Sequence, residues 1–168
     1  MIRAVAAVLL GLATPLAAQP PAAPAAEALL CPLDRPYDST NPFARIMRGE
    51  LPASRVYEDR RVMVIMPLEW NHPGHALVIP KRAVRSLDDM TPAELTHALV
   101  IVRRVAAAQR LALSATGYTV AVSNARSQHI CHVHFHVVPN TPLAPQDPVS
   151  RVELDRMAER LKVAFEAR

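Results

Sequence analysis

Three histidines at alternate positions, His132, His134 and His136, are the residues of this chain best suited to do chemistry. Side chains of a β-strand alternate between its two faces, so this spacing predicts three imidazoles on one face, while Val133 and Phe135 face the core. The chain has seven histidines, and six of them lie in two short stretches. This clustering indicates a functional site.

Two kinds of chemistry fit three alternate imidazoles. They can converge on a metal such as zinc or copper. Alternatively, one imidazole can attack phosphorus as a nucleophile while its neighbours hold its tautomer and donate to the phosphate oxygens. The strand motif alone leaves both readings open, beside the plainer one of a polar sheet face with satisfied histidines.

The elements that must position these histidines alternate between helix and antiparallel strand. Helix starts are indicated by Asn41-Pro42, Thr91-Pro92 with Glu94, and Ser150 with Glu153. The predicted elements are a short helix from Asn41 to Gly49, a hairpin of Val56–Glu58 and Val62–Met66, a strand Ala76–Pro80, a main helix from Thr91 towards Gly117, strands Tyr118–Ser123 and Ile130–Val138, the second ended by Pro139, and a C-terminal helix to about Phe165. This order predicts an α+β fold with an antiparallel sheet of about five strands, a long central helix and an added C-terminal helix.

The first 28 residues differ in composition from the rest of the chain. Residues 1–18 contain Arg3, an apolar run and small residues ending in Ala18, which is typical of a secretory signal peptide cut near Ala18. Residues 19–28 are almost all Ala and Pro and are expected to form a linker. The folded domain is then expected at 29–168, in a secreted or periplasmic protein. An uncleaved anchor is the alternative for residues 1–18.

Charge and hydropathy exclude two classes of partner. After loss of Arg3 the chain would carry 18 Lys and Arg against 15 Asp and Glu, so its formal charge falls from +4 to +3. The basic residues are scattered, which does not indicate a nucleic-acid interface. No second apolar stretch approaches the ~20 residues of a membrane span, so we expect no span in the mature chain.

Several segments, in the right order, resemble the histidine triad (HIT) superfamily, whose mark is H-x-H-x-H followed by apolar residues. Here the triad reads His132-Val-His134-Phe-His136-Val-Val-Pro139, with Gln128 four residues ahead of it. The other similar segments are Asn41–Ser54, Val56–Asp59, Val62–Met66 and Pro73–Arg82. Together they cover roughly residues 41–139, and this combination is far more specific than one motif.

The resemblance implies nucleotidyl hydrolysis or transfer through a nucleotidyl-histidine, on a small-molecule nucleotide or nucleotide conjugate. It assigns the nucleophile to His134, orientation of the nucleophile to His136, support to His132, and the phosphate pocket to His75. It implies no cofactor and no essential metal. Dimerisation is typical of the branch that the chain resembles, and the main helix from Pro92 offers an interface. The alternative function is an exported metal-binding module that uses the three alternate histidines.

The loop before the triad is expected to contact the substrate phosphate. By the resemblance, Asn124 and Gln128 supply amide contacts to phosphate oxygens. Family members often have a Gly-rich turn here, whereas this shorter loop has no glycine. Arg126 is expected to supply charge in its place.

Other positions depart from the family pattern. Pro67 stands where an acidic residue usually contacts the ribose, and Glu69 or Asn71 is the expected substitute. Many members hold a structural zinc with cysteine and histidine ligands, where this chain has Asn41, Ala44 and Ala83. We therefore expect no structural zinc.

The chain has two cysteines, Cys31 and Cys131. In an oxidising compartment an even number of cysteines favours a disulfide. A buried free thiol at Cys131 is the alternative, and the sequence leaves the two open.

Overall fold

The computed structural model of the protein describes residues 31–68, 72–125, 128–143 and 149–167. The predicted signal peptide and linker, and the predicted site residues Glu69 and Arg126, lie outside the described residues. Within those ranges no helix is both long enough and apolar enough to span a bilayer.

An antiparallel sheet of five strands forms the centre of the domain. The strands are β1 Arg55–Glu58, β2 Val62–Ile65, β3 Ala76–Pro80, β4 Gly117–Val122 and β5 Phe135–Asn140, and the helices are α1 Pro42–Met47, α2 Pro92–Leu113 and α3 Arg151–Glu166, with a 3-10 turn at Leu87–Asp89. In space the strands lie in the order β1-β2-β3-β5-β4. This confirms the predicted α+β class, the five strands, the long central helix and the added C-terminal helix.

Each α-helix begins at the residue that the sequence indicates. The Asn41 side chain accepts a hydrogen bond from the backbone N–H of Ala44. Thr91 and Ser150 each form a capping box with the glutamate three residues on. These side chains satisfy backbone N–H groups that have no partner inside the helix, so local chemistry alone sets the start of all three helices.

The sheet separates two apolar layers. Along β2, Val62 and Val64 pack into the cluster that contains α2 and α3, while Met63 and Ile65 pack into a smaller cluster with Phe43 of α1. Every residue of β2 and β3 is buried. The central strands are therefore covered on both faces, α1 on one and α2 with α3 on the other.

The predicted bounds of the triad strand were wrong. We expected a strand over 130–138 that Pro139 ends, but β5 is Phe135–Asn140 and contains Pro139. The β3 ladder stops at Val137, and beyond it β5 pairs only with β4. Because one side of β5 has no neighbour there, a residue without an N–H is tolerated.

The first two triad histidines consequently lie in an irregular segment just ahead of β5. This segment is tied to the loop after β3 by a 2.9 Å hydrogen bond from the Val133 N–H to the Val84 carbonyl. The alternation of side chains nevertheless persists. The His134 ring contacts Phe43 on the α1 side, while Phe135 packs into the cluster on the other side.

A disulfide joins Cys31 to Cys131, which are 100 residues apart in sequence. Their Cα atoms lie 5.3 Å apart. The Cys31 side chain is buried, and its backbone N–H donates to the carbonyl of Ala125. Of the two alternatives left open by the sequence, the structure has the disulfide, and it ties the first described residue to the residue before the triad.

We predict that the Cys31→Ala, Cys131→Ala double variant is markedly less stable than the unchanged protein. A cross-link across 100 residues removes conformational entropy from the unfolded chain, which amounts to about 4 to 5 kcal/mol in the chain-entropy treatment. Urea unfolding of both proteins measures the difference. Equal free energies of unfolding would contradict the prediction, and intact mass without reductant checks that the unchanged protein has no free thiol.

Candidate active site

Two imidazoles from neighbouring strands form a hydrogen-bonded pair. His136 lies on β5 opposite Leu77 of β3, and His75 immediately precedes β3. His75 Nε2 and His136 Nδ1 are 3.0 Å apart, and the ring centroids are 5.1 Å apart. One ring donates and the other accepts, so the pair holds both rings in a fixed relative orientation.

His134 has its tautomer set by the backbone. Its Nδ1 lies 2.7 Å from the carbonyl oxygen of His132. A carbonyl can only accept, so Nδ1 carries the proton and Nε2 keeps its lone pair. Nε2 has no hydrogen-bond partner among the described residues, and the ring centroid lies 4.9 Å from that of His136.

His132 is bonded at both ring nitrogens. Nε2 lies 2.7 Å from the carbonyl of Pro80 and must donate to it, which leaves Nδ1 to accept from the Tyr37 hydroxyl at 2.6 Å. The His132 side chain has no exposed surface, whereas His134 keeps 7% of its own. His132 is thus enclosed in the protein, whereas a small part of His134 reaches the surface.

Burial keeps these rings neutral. The pKa of His75 is lowered to about 4, mainly by removal from water and secondly by the charge that His136 would carry. Burial also lowers the pKa of His134 to about 4, although its bond to the His132 carbonyl acts the other way. The pKa values of His132 and His136 are lowered by burial as well. A neutral imidazole with a free lone pair is the form that a nucleophile requires.

The predicted amide contacts lie beside the triad segment but have other partners. Asn124 Oδ1 accepts from the backbone N–H of Leu87, while no described residue bonds its Nδ2. Gln128 is fully buried, and its Nε2 donates to the carbonyl of Arg85 at 2.6 Å. In this arrangement Gln128 has no surface to offer a ligand, and the phosphate contacts of both residues stay predictions.

Within the described ranges no three His, Cys, Asp or Glu side chains are grouped so that they could hold a metal ion. At the positions of the family's structural zinc, Asn41, Ala44 and Ala83 offer no thiolate or imidazole, and the Asn41 amide nitrogen already donates to Tyr37 Oη. These residues do not fit a zinc ion, and the absence of structural zinc remains a prediction.

Two supporting residues were missed by sequence reasoning. Tyr37 lies 95 residues before its partner His132 and has no motif around it. Gln109 of α2 is fully buried, and its Nε2 donates at 2.9 Å to the carbonyls of both Gly74 and Val137, each next to a paired histidine. A polar residue on the buried stripe of α2 was the signal that could have identified Gln109.

Comparisons with known proteins point to a single family. The sequence model of the HIT domain matches residues 48–143. An uncharacterized HIT-like protein of Methanocaldococcus jannaschii is 31% identical over 126 residues, which cover 71% of this chain and 97% of the relative. The adenosine 5'-monophosphoramidase HNT1 of Saccharomyces cerevisiae is 32% identical over 99 residues, which cover 58% of this chain and 60% of that enzyme.

Among solved structures, the crystal structure of a HIT-like protein involved in cell-cycle regulation from Bartonella henselae is similar to this chain. The two share 34% sequence identity with a TM-score of 0.71. The match covers 77% of this chain and 99% of the Bartonella protein. The antiparallel sheet and the helices of this chain therefore have the arrangement seen in the HIT-like protein of Bartonella henselae.

We predict that the free energy of unfolding falls as the pH is lowered from 7 towards 5. The folded-state pKa values of His75 and His134 lie near 4, below the unfolded value of about 6.5. Between these values the unfolded chain binds more protons and is stabilised. Urea unfolding at both pH values measures the effect, which should be smaller in His75→Gln. An equal loss in the variant and the unchanged protein would contradict the assignment to His75.

Proposed function

The chain belongs to the HIT-domain family, and from this membership we propose that it is a nucleotide hydrolase or nucleotidyl transferase that works through a covalent nucleotidyl-histidine. Members of this family are typically nucleotide hydrolases or transferases, bind nucleotides and often form dimers. The observation that carries the proposal is the 2.7 Å contact between His134 Nδ1 and the His132 carbonyl, which implies an unprotonated Nε2 on a ring that lies beside the His75–His136 pair.

The proposed nucleophile is the Nε2 lone pair of His134. The bond from Nδ1–H to the His132 carbonyl excludes the other tautomer, because two acceptors would then face each other. The lowered pKa means that the ring is neutral at pH 7. An exposed histidine would be partly protonated near its ordinary pKa, so burial raises the fraction of the reactive form.

The reaction proceeds in two displacements at phosphorus. In the first, Nε2 of His134 forms a bond to the phosphorus of the substrate, and the bond to the leaving group breaks. An amine leaving group takes its proton from water. In the second, water attacks phosphorus, the P–N bond breaks, its electron pair returns to Nε2, and the proton of the attacking water passes to solvent. An acceptor hydroxyl that replaces water gives transfer.

The histidine pair assists both displacements. His136 lies 4.9 Å from His134 between ring centroids, close enough to orient the nucleophile and to contact a phosphate oxygen. His75 fixes the His136 ring through the 3.0 Å bond and lines the phosphate pocket. Ring N–H groups held in place before the substrate arrives can stabilise negative charge that develops on the phosphate oxygens.

We propose the substrate class by analogy with a relative. The yeast relative is an adenosine 5'-monophosphoramidase by name, so a nucleoside phosphoramidate is the first candidate. Dinucleotides and other nucleotide conjugates present the same nucleoside-linked phosphorus. Glu69 and Arg126 are proposed contacts to the ribose and the phosphate.

We also propose that the protein acts outside the cytoplasm. Residues 1–18 have the composition of a secretory signal peptide, followed by the Ala/Pro linker at 19–28. The Cys31–Cys131 disulfide supports this proposal, since structural disulfides persist mainly in oxidising compartments. The mature chain would then meet extracellular or periplasmic nucleotide conjugates.

We predict that the purified protein hydrolyses adenosine 5'-monophosphoramidate and that His134→Ala lowers kcat by about a thousandfold or more, the scale expected when a nucleophile is removed. Release of AMP measures the rate. Intact mass after a rapid quench at neutral or basic pH should show an adenylylated species in the unchanged protein and none in the variant.

The matched control is His97→Gln, on α2. Its imidazole pairs with Asp59 at 2.8 Å and, among the described residues, has no hydrogen bond to the triad or to His75, so its loss should leave kcat within about twofold. Hydrolysis that survives in His134→Ala would contradict the nucleophile. Stoichiometric zinc in the purified protein, with no turnover of any nucleotide conjugate, would instead favour the metal-binding module.

A further inference from the structure

The segment 31–41, called the strap here, crosses to the triad from outside the matched HIT domain, which begins at residue 48. It is attached to two consecutive residues of the triad segment. The disulfide joins Cys31 to Cys131, and the Tyr37 hydroxyl bonds the His132 ring. The His132 carbonyl accepts the hydrogen bond from His134, the proposed nucleophile. A segment attached to Cys131 and to the His132 ring can therefore affect the position of His134.

The hydroxyl of Tyr37 can donate in one direction only. Asn41 Nδ2 donates to Tyr37 Oη at 2.9 Å, while Asn41 Oδ1 is held by the Ala44 N–H at the start of α1. The Tyr37 proton therefore points to His132 Nδ1, 2.6 Å away. On its other side the His132 ring donates to the Pro80 carbonyl. The ring is thus held between the strap and the end of β3.

This ring belongs to the residue whose carbonyl orients the nucleophile. The His132 carbonyl accepts from His134 Nδ1–H at 2.7 Å, and His132 has no strand partner of its own because β5 begins only at Phe135. The peptide unit of this carbonyl is held on its N–H side by the 2.9 Å bond from Val133 to the Val84 carbonyl. With no strand ladder at His132 itself, the direction of the carbonyl also depends on what holds the His132 side chain and on the disulfide next to it.

We propose that Tyr37 is a positioning residue for the nucleophile: its hydroxyl fixes His132, and the His132 carbonyl in turn fixes the tautomer and direction of His134. This inference rests on the proposed function, since it assumes that His134 is the group that attacks. Tyr37 itself touches neither the substrate nor the reacting atoms. Its loss should therefore change the rate of the chemical step without changing substrate binding.

The test is Tyr37→Phe, which removes one hydroxyl and leaves the ring. With adenosine 5'-monophosphoramidate we expect kcat to fall about tenfold or more while KM stays within about twofold, because a small misplacement of a reacting group costs rate. The matched control is Tyr57→Phe. The Tyr57 hydroxyl likewise donates to a side chain, Asp59 at 3.0 Å, but on the β1–β2 hairpin.

A second measurement does not depend on turnover. The imidazole N–H protons of His134 and His132 are buried and bonded to carbonyls, so they should exchange slowly with solvent and be visible by NMR. We expect the His134 Nδ1–H proton to exchange at least about tenfold faster in Tyr37→Phe and unchanged in Tyr57→Phe. Equal kcat and equal exchange in the two variants would overturn the inference.

The two proposals fail in different ways. If His134→Ala retains the activity of the unchanged protein, or if the unchanged protein turns over no nucleotide conjugate, the proposed function fails. If His134→Ala is inactive and Tyr37→Phe behaves like Tyr57→Phe, only the positioning role of Tyr37 fails. Thermal unfolding of both tyrosine variants checks that a lower kcat does not come from partial unfolding.

Discussion

The site depends on the 2.7 Å hydrogen bond from His134 Nδ1–H to the carbonyl of His132. A free imidazole can place its proton on either nitrogen, and only one choice leaves a lone pair directed at a ligand. A backbone carbonyl is a suitable partner for this purpose, because it accepts and never donates, at any pH. The surrounding structure holds the His132 carbonyl and the His134 ring in place.

Burial gives the same site its electrostatic character. No carboxylate bonds the rings of the triad or His75 among the described residues, and their pKa values are lowered mainly by removal from water. The Asp59 carboxyl group behaves differently from these rings. Burial raises its pKa, but hydrogen bonds from the backbone N–H groups of Arg61 and Val62 outweigh this effect and lower the pKa to about 2. A carboxylate beside His134 would favour imidazolium, which has no lone pair to attack phosphorus.

The features that could be predicted from the sequence are those that depend on residues close together in the chain. Helix starts at Asn41, Thr91 and Ser150 were correct because the capping side chain and the N–H groups that it satisfies lie within three residues. The strand bounds at the triad were wrong because they depend on where β3 stops pairing, which no local pattern encodes. The bond between Tyr37 and His132 joins residues 95 apart and could be found only from the fold.

The glycine-free loop between β4 and β5 shows how packing can replace backbone freedom. Ala125 adopts a left-handed conformation with φ of 50°, which costs an L-residue about 1 to 2 kcal/mol. Neighbouring bonds hold it there: its carbonyl accepts from the N–H groups of Cys31 and Gln128, and the Gln128 amide donates to Arg85. Each such bond contributes about 1 kcal/mol, so together they can offset the strain. The amide expected to bind phosphate is therefore used to hold the loop, and the strap that begins at Cys31 stabilises both this loop and the triad segment.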